Sequence, residues 1–331
     1  MRSTDTLLLT RKNVADLLSL EECINTVEEA FKLYAEGKMQ PPKILGVHNQ
    51  KGGFHIKAGL LEKQDSFFAA KMNANFPNNM KEYGLPAIQG VLIASDGETG
   101  QLLALMDSIE ITILRTGAAT GVAAKYLSRP ESKTVAICGC GNQGRVSLKA
   151  LMEVRSIEKV FAFDTDSIRA DRFVKELSKE LNITIEQVTD LEKNLNQSDI
   201  VVTCTPSRQP FIKREYIKPG TFIAAVGADS EEKQELYTEL FAANKIVTDL
   251  TVQCANIGEL HHALVNDHIT IANVYAELGE IIAGLKEGRT SDNEIIIFDS
   301  TGTALQDVAA AAIVYKKAVT MEVGMKLNFS N

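Results

Sequence analysis

The chain has 331 residues, enough for two domains of ordinary size at roughly 150 residues each. With 45% hydrophobic and 24% charged residues it has the make-up of a compact protein, which excludes disorder or a fibrous repeat as its dominant state. Subtracting 43 acids from 35 bases leaves a formal charge of -8, the wrong sign for a surface that gathers nucleic-acid phosphates, so the expected ligand is small.

The chain starts MRSTDTLLLTRKN, where an apolar run of three leucines is too short for a signal-peptide core. No later stretch nears the roughly 20 apolar residues that cross a bilayer, so no membrane partner is expected. The cysteines Cys23, Cys138, Cys140, Cys204 and Cys254 are odd in number and sit mostly among strand-like residues, as reduced thiols do; the expected location is the cytoplasm. Over residues 20–34, LEECINTVEEAFKLY puts Ile24, Val27, Ala30, Phe31 and Tyr34 on one face, predicting an amphipathic helix with Ser19 as N-cap and Glu22 three positions on. After Pro41-Pro42, residues 53–60 and 67–74 predict strands, and 89–94 and 102–106 predict a pair joined through SDGETG. Residues 108–127 predict a helix rich in small residues, whose backbone another element can approach closely.

After the polar ESK at 131–133 the rhythm changes. The apolar strands TVAIC, KVFAF, ITIEQV, DIVVTC, TFIAAV and KIVTD are separated by helix or turn signals such as VSLKALMEV and IRADRFVKELSKEL. The segment EIIIFDSTGTALQDVAAAAIVYKKAV then gives one more strand and a long helix. Such alternation predicts an α/β fold with a Rossmann-type doubly wound parallel sheet over residues 130–302. An α+β domain is expected over 1–129, completed by the C-terminal helix within 303–331. There is no internal repeat and no low-complexity tract.

Gly139-Cys140-Gly141-Asn142-Gln143-Gly144 follows the strand TVAIC and precedes a helix, which is the context a G-x-G-x-x-G dinucleotide motif requires. The first glycine permits a tight turn and the second lets the backbone approach a pyrophosphate. The third allows helix and strand to pack, and the helix N-terminus attracts the anion. Asp164 lies at the end of the next strand, 20 residues after Gly144, where its carboxylate would accept ribose hydroxyls and repel a 2′-phosphate. The bland alternative is a structural turn with Asp164 as a surface cap. NAD(H) is the expected cofactor, with NADP(H) as the alternative because Arg145 and Arg169 lie nearby. Cys138 and Cys140 lack partners at ligand spacing, as do His261 and His262, so no metal is expected.

The blocks RTGAATGVAAKYL (115–127), GCGNQG (139–144), TPSRQP (205–210), GADSEEKQEL (227–236) and FDSTGTALQDVA (298–309) together resemble the ornithine cyclodeaminase/mu-crystallin family. Within it, the chain is most similar to the alanine dehydrogenase and pyrroline-carboxylate (ketimine) reductase branches. The resemblance implies an NAD(P)-dependent enzyme that interconverts amino acids and their imines, as a homodimer formed through the domain at 1–129. It implies a substrate between the domains, with its carboxylate on Lys43, Lys71 and Arg115, proton transfer at the substrate nitrogen by Asp229, and Lys71 as a second catalytic group. It extends the cofactor site to Thr205, Pro206, Ser207, Val226, Gly227 and Ser300, with Thr301 and Gly302 closing the cleft.

The residues allow other roles. The PPK at Lys43 also reads as a solvated loop, Lys71 as an exposed strand position, Arg115 as a structural salt bridge and Asp229 as a helix N-cap ahead of EEKQEL. Ornithine-specific members carry a glutamate where this chain has Phe54-His55-Ile56-Lys57, and a cation there disfavours a diamine. His55 and Lys57 alternate with Phe54 and Ile56, so one pair should line the substrate site. The expected reaction is reduction of Δ1-pyrroline-2-carboxylate to an L-proline-type product. Alanine dehydrogenation, ornithine cyclodeamination and a non-catalytic NAD(P)-binding role are the alternatives.

Overall fold

The computed structural model describes residues 5–62 and 66–329. The first four residues of the MRSTDTLLLTRKN stretch, and the last two of the C-terminal segment, lie outside the described residues. The chain divides into two compact units, one ending at Arg115 and resuming at Thr303, the other running from Thr116 to Gly302. The division thus falls inside the Ser108–Leu127 helix, upstream of the polar ESK.

The first unit is built on a seven-stranded sheet. From one edge its order is Met325–Leu327, Thr6–Leu9, Leu102–Asp107, Ile88–Asp96, Phe67–Asn75, Gly52–Leu61 and Lys43–Asn49. All neighbours are antiparallel except Thr6–Leu9 and Leu102–Asp107. Register aligns Leu9, Met106, Leu92, Lys71, Lys57 and Ile44 in one row across six strands. The three apolar residues at its head are fully buried, each contributing about 1.5–3 kcal/mol, and the two lysines that follow are buried as well. The Ala304–Thr320 helix packs on the central strands of this sheet and on the Leu20–Ala35 helix. A Cβ on Gly59 would stand 3.3 Å from Ala304, so helix and strand meet closely.

The predicted first helix forms as Leu20–Ala35, with Ser19 and Glu22 exchanging both bonds of a capping box. The Ser108–Leu127 helix and the four predicted strands of this unit also form. Lys43, for which a solvated PPK loop is the alternative reading, instead begins the edge strand Lys43–Asn49, which is exposed along its whole length. Its conformation comes from pairing with Gly52–Leu61 and leaves no buried alternation to read.

The second unit carries an eight-stranded sheet in which every pairing is parallel. Its order is Val274–Glu277, Lys245–Thr248, Ile296–Asp299, Phe222–Ala225, Ile200–Thr203, Thr134–Cys138, Lys159–Phe163 and Thr184–Gln187. The chain winds outward in one direction from Thr134–Cys138 and then, from Ile200–Thr203, in the other, with the last strand, Ile296–Asp299, returning between Phe222–Ala225 and Lys245–Thr248. This is the Rossmann-type doubly wound arrangement, and its switch point lies at Gly139. No helix among the described residues is long and apolar enough to cross a membrane.

Candidate active site

Gly139 adopts a φ of +110°, and a Cβ there would stand 2.9 Å from the Cys204 carbonyl oxygen, so the turn accepts only glycine. A Cβ on Gly144 would collide with the Gly139 carbonyl oxygen and crowd Ile137, which is the approach the third glycine permits. Gly141 is different in kind: no protein atom lies within 4 Å of the position its Cβ would take. It begins the Asn142–Val154 helix, whose N-terminus has no side-chain cap, and the buried Gln143 Oε1 has no hydrogen-bond partner. Free first-turn N–H groups over an open backbone suit a pyrophosphate, so the residues fit a dinucleotide.

Asp164 closes this turn from the neighbouring strand. Its side chain is 6% exposed, Oδ2 accepts the Cys140 N–H at 2.9 Å, Oδ1 accepts the Asp166 N–H at 2.9 Å, and Arg169 stands 3.6 Å away. The residue read as a ribose acceptor therefore also ties down the glycine turn, and each carboxylate oxygen keeps acceptor capacity for a hydroxyl.

Three more parallel strands deliver the remaining candidates at their carboxyl ends, where ligands of such sheets gather. After Ile200–Thr203, Thr205 donates its N–H to Glu235 Oε1 at 2.6 Å, with Pro206 and Ser207 following. After Phe222–Ala225 come Val226, Gly227 and Asp229, whose half-exposed carboxylate meets Lys233 Nζ at 2.5 Å. Residues 231–236 form a turn and a bridge instead of a helix, so Asp229 is no helix N-cap. Ser300 Oγ and the Gly302 N–H, past Ile296–Asp299, both donate to Asp249 Oδ2, at 2.9 and 2.8 Å.

In the first unit, three cations surround one acid. Lys71 Nζ bonds Asp307 Oδ1 at 2.7 Å and Thr112 Oγ1 at 3.1 Å. Arg115 Nε stands 3.2 Å from the same carboxylate oxygen, and its Nη1 donates to Gln306 Oε1 at 2.9 Å. Lys57 pairs across the sheet with Lys71, and all four charged residues are at most 6% exposed. Burial pulls the Lys71 ammonium down to about 7, against the upward pull of Asp307; Arg115 and Lys57 push it further down. Burial alone would raise the Asp307 carboxyl, but Lys71 and Arg115 outweigh it and hold it below the usual carboxylate range. Arg115 Nε, Gln306 Nε2 and Asp307 Oδ2 are buried without hydrogen bonds, and such atoms cost about 1–3 kcal/mol each. The unpartnered donors Arg115 Nε and Gln306 Nε2, beside the Lys71 ammonium, have the chemistry to receive a carboxylate.

Lys71, Arg115 and Lys57 are thus brought together, and the two faces of residues 54–57 differ in burial. Lys57 is buried and Phe54 is 39% exposed on the other face. His55 shares the face of Lys57, half-buried, with Nε2 2.9 Å from Nε2 of His48. Lys43 is not part of the cluster: it is exposed and pairs with Ala58, on the opposite face from Lys57. Gly302 belongs to the second unit. Sequence reading missed Asp307 and Gln306. The available signal was an acid inside the otherwise apolar ALQDVAAAAIV, where a buried charge requires a partner.

A doubly wound sheet with a vacant-Cβ glycine turn, and a carboxylate-ready cation cluster, define a dinucleotide-dependent enzyme of small acids. The sequence matches the ornithine cyclodeaminase/mu-crystallin family over residues 4–322. It is 41% identical over 326 residues to the alanine dehydrogenase of Archaeoglobus fulgidus, covering 98% of this chain and 99% of the relative. Among solved structures, an archaeal alanine dehydrogenase dimer with bound NAD superposes with a TM-score of 0.94 at 42% identity, over 98% of this chain and 99% of the other. The Thermococcus litoralis Δ1-pyrroline-2-carboxylate reductase in complex with NADH and L-proline superposes with a TM-score of 0.92 at 36% identity, over 97% and 100%. The chain belongs to the ornithine cyclodeaminase/mu-crystallin family, and it is an oxidoreductase of that family.

Proposed function

We propose that the protein is an NAD(H)-dependent reductase of a small α-imino acid, with Δ1-pyrroline-2-carboxylate as its leading substrate and an L-proline-type product. The observation that carries this reading is the buried cluster of Lys57, Lys71 and Arg115, in which Lys71 and Arg115 both stand on Asp307. The trio supplies charge for one carboxylate, and the buried Lys57 would repel the distal ammonium of a diamine such as ornithine. The solved relative bound to NADH and L-proline supports the cyclic substrate.

Gly139, Gly141, Asn142, Gln143, Gly144 and Asp164 would hold the dinucleotide, with Thr205, Pro206, Ser207, Val226, Gly227 and Ser300 bordering its nicotinamide end. NADH, when bound, supplies a hydride to the imine carbon. Arg115 and Lys71 take the substrate carboxylate, through a planar guanidinium and a compact ammonium, and Lys57 adds charge. Asp229 delivers a proton to the imine nitrogen in reduction and removes it from the amine in the reverse direction, with Lys233 orienting its carboxylate. NADP(H) is the second cofactor, because Arg169 stands beside Asp164. The protein assembles as a homodimer, for which the outer face of the seven-stranded sheet offers exposed Leu45, Val47, Phe54, Met72 and Ile93.

The test is NADH oxidation with Δ1-pyrroline-2-carboxylate, Δ1-piperideine-2-carboxylate or pyruvate plus ammonium, and ammonia release from ornithine in the presence of NAD+. The pyrroline is expected to give the highest kcat/KM. Alanine dehydrogenation is the second reading, favoured by the higher identity to alanine dehydrogenases, and a higher kcat/KM with pyruvate plus ammonium would establish it instead.

A further inference from the structure

The loops carrying Thr205 and Asp229 leave different strands, yet one short strip, residues 233–236, holds both. Lys233 bonds the Asp229 carboxylate, and the Gln234 N–H donates to the Ser207 carbonyl at 3.0 Å. Glu235 is fully buried and grips in three ways. Its Oε1 accepts the Thr205 N–H at 2.6 Å, its carbonyl accepts the Phe211 and Ile212 N–H groups at 2.8 and 3.0 Å, and its Oε2 fills the space a Cβ on Gly227 would need. The strip is itself anchored, because the buried Glu259 carboxylate accepts the N–H groups of Glu235 and Leu236 at 2.7 and 3.0 Å.

We propose that Glu235 is a positioning residue for hydride transfer, a buried carboxylate whose length sets the spacing between the Thr205 loop and the Gly227–Asp229 loop. The proposal rests on the reading that these loops border the nicotinamide and the substrate nitrogen. A residue that touches neither cofactor nor substrate acts here by holding two groups that do, and a misplacement of about 1 Å can cost about a hundredfold in rate. The role asks for an acceptor at the right reach, which glutamine also provides and aspartate, one methylene shorter, does not.

The experiment compares Glu235→Asp, Glu235→Gln and Gly227→Ala with the wild type. It measures the single-turnover rate of NADH oxidation with saturating imine, the NADH dissociation constant by fluorescence, and the melting temperature. Glu235→Asp is expected to slow the hydride step about tenfold or more, with NADH binding within about threefold, while Glu235→Gln stays within about threefold of wild type. Gly227→Ala displaces the same carboxylate from the other side and is expected to slow the same step, which keeps the test open should Glu235→Asp not fold. Lowered melting temperatures with an unchanged hydride rate would reduce Glu235 to a structural role and overturn the proposal, as would equal slowing by aspartate and glutamine. A wild type that oxidises no NADH with any imine would overturn the functional reading itself.

Discussion

In the first unit the buried Asp307 is met by the cations Lys71, Arg115 and Lys57, whereas in the second the buried Glu235, Glu259 and Asp299 are met mainly by backbone N–H groups. Their ionisation diverges accordingly. Asp307 is held below the usual carboxylate range, while burial drives Glu259 well above it, with Glu235 repelling its charge further. Counter-charge keeps cations gathered where an arriving anion could replace part of the Asp307 contact, which is the arrangement the proposed carboxylate site uses. Amide donors spend the carboxylates on the main chain, so that arrangement shapes loops.

The hardest test of the contrast is Asp229, which is half-exposed and paired with Lys233 and so belongs to neither pattern. Asp229→Asn is expected to lower turnover by about 10²–10⁴-fold with NADH affinity within about threefold, measured by steady-state rates and fluorescence titration. Lost NADH binding with an unchanged single-turnover rate would remove its proton-transfer role.

Next in size is Asp307→Asn, which takes the counter-charge from Lys71 and Arg115 and should cost about 3–5 kcal/mol in denaturant unfolding. It also carries a signed pH effect. Asp307 attracts the proton of Lys71, whose ammonium titrates near 7, so losing that attraction lowers it further. The alkaline limb of kcat/KM, where the ammonium is lost, should therefore move to lower pH; a shift upward would show that Lys71 does not set it.

Asp164→Ala should weaken NADH about tenfold and NADPH less, read by paired titrations, since one hydrogen bond to a charged group is worth about 1.5–3 kcal/mol. Equal weakening would mean that its grip on the Cys140 N–H matters more than a ribose contact.

The smallest effect sharpens the amide-bound side. Burial, with Asp249 adding, lifts Asp299 from 3.8 to about 7, so between those values the folded chain keeps a proton that the unfolded chain has released. Its contribution to stability is complete below about 3.8 and lost as pH rises through about 7. Asp299→Asn, which keeps an acceptor for the Leu260 N–H, should flatten the decline in melting temperature between pH 5 and 8 by about 2–4 °C.

The glycine turn was legible because its determinants are contiguous: strand, three glycines and helix lie within residues 134–154, and Asp164 follows one strand later. The alternating sheet was legible for the same reason. Lys71 and Arg115 came from resemblance, and their shared partner was invisible because Asp307 is 236 positions from Lys71. Lys43 misled because residue type alone does not tell which face of a strand a lysine takes. The Glu235 and Glu259 contacts depend on loops whose paths carry no periodic signal, so only coordinates reveal them.

Asp307 sits on a helix of the first unit that the chain writes only after completing the second, and the strand at Thr6–Leu9 waits for Met325–Leu327 at the far end. During synthesis the parallel sheet can therefore mature on the ribosome while the opening segment stays without its lid helix. Nascent chains stalled before Ala304 should leave Lys71 without Asp307, a vulnerable interval in which chaperones would find their substrate.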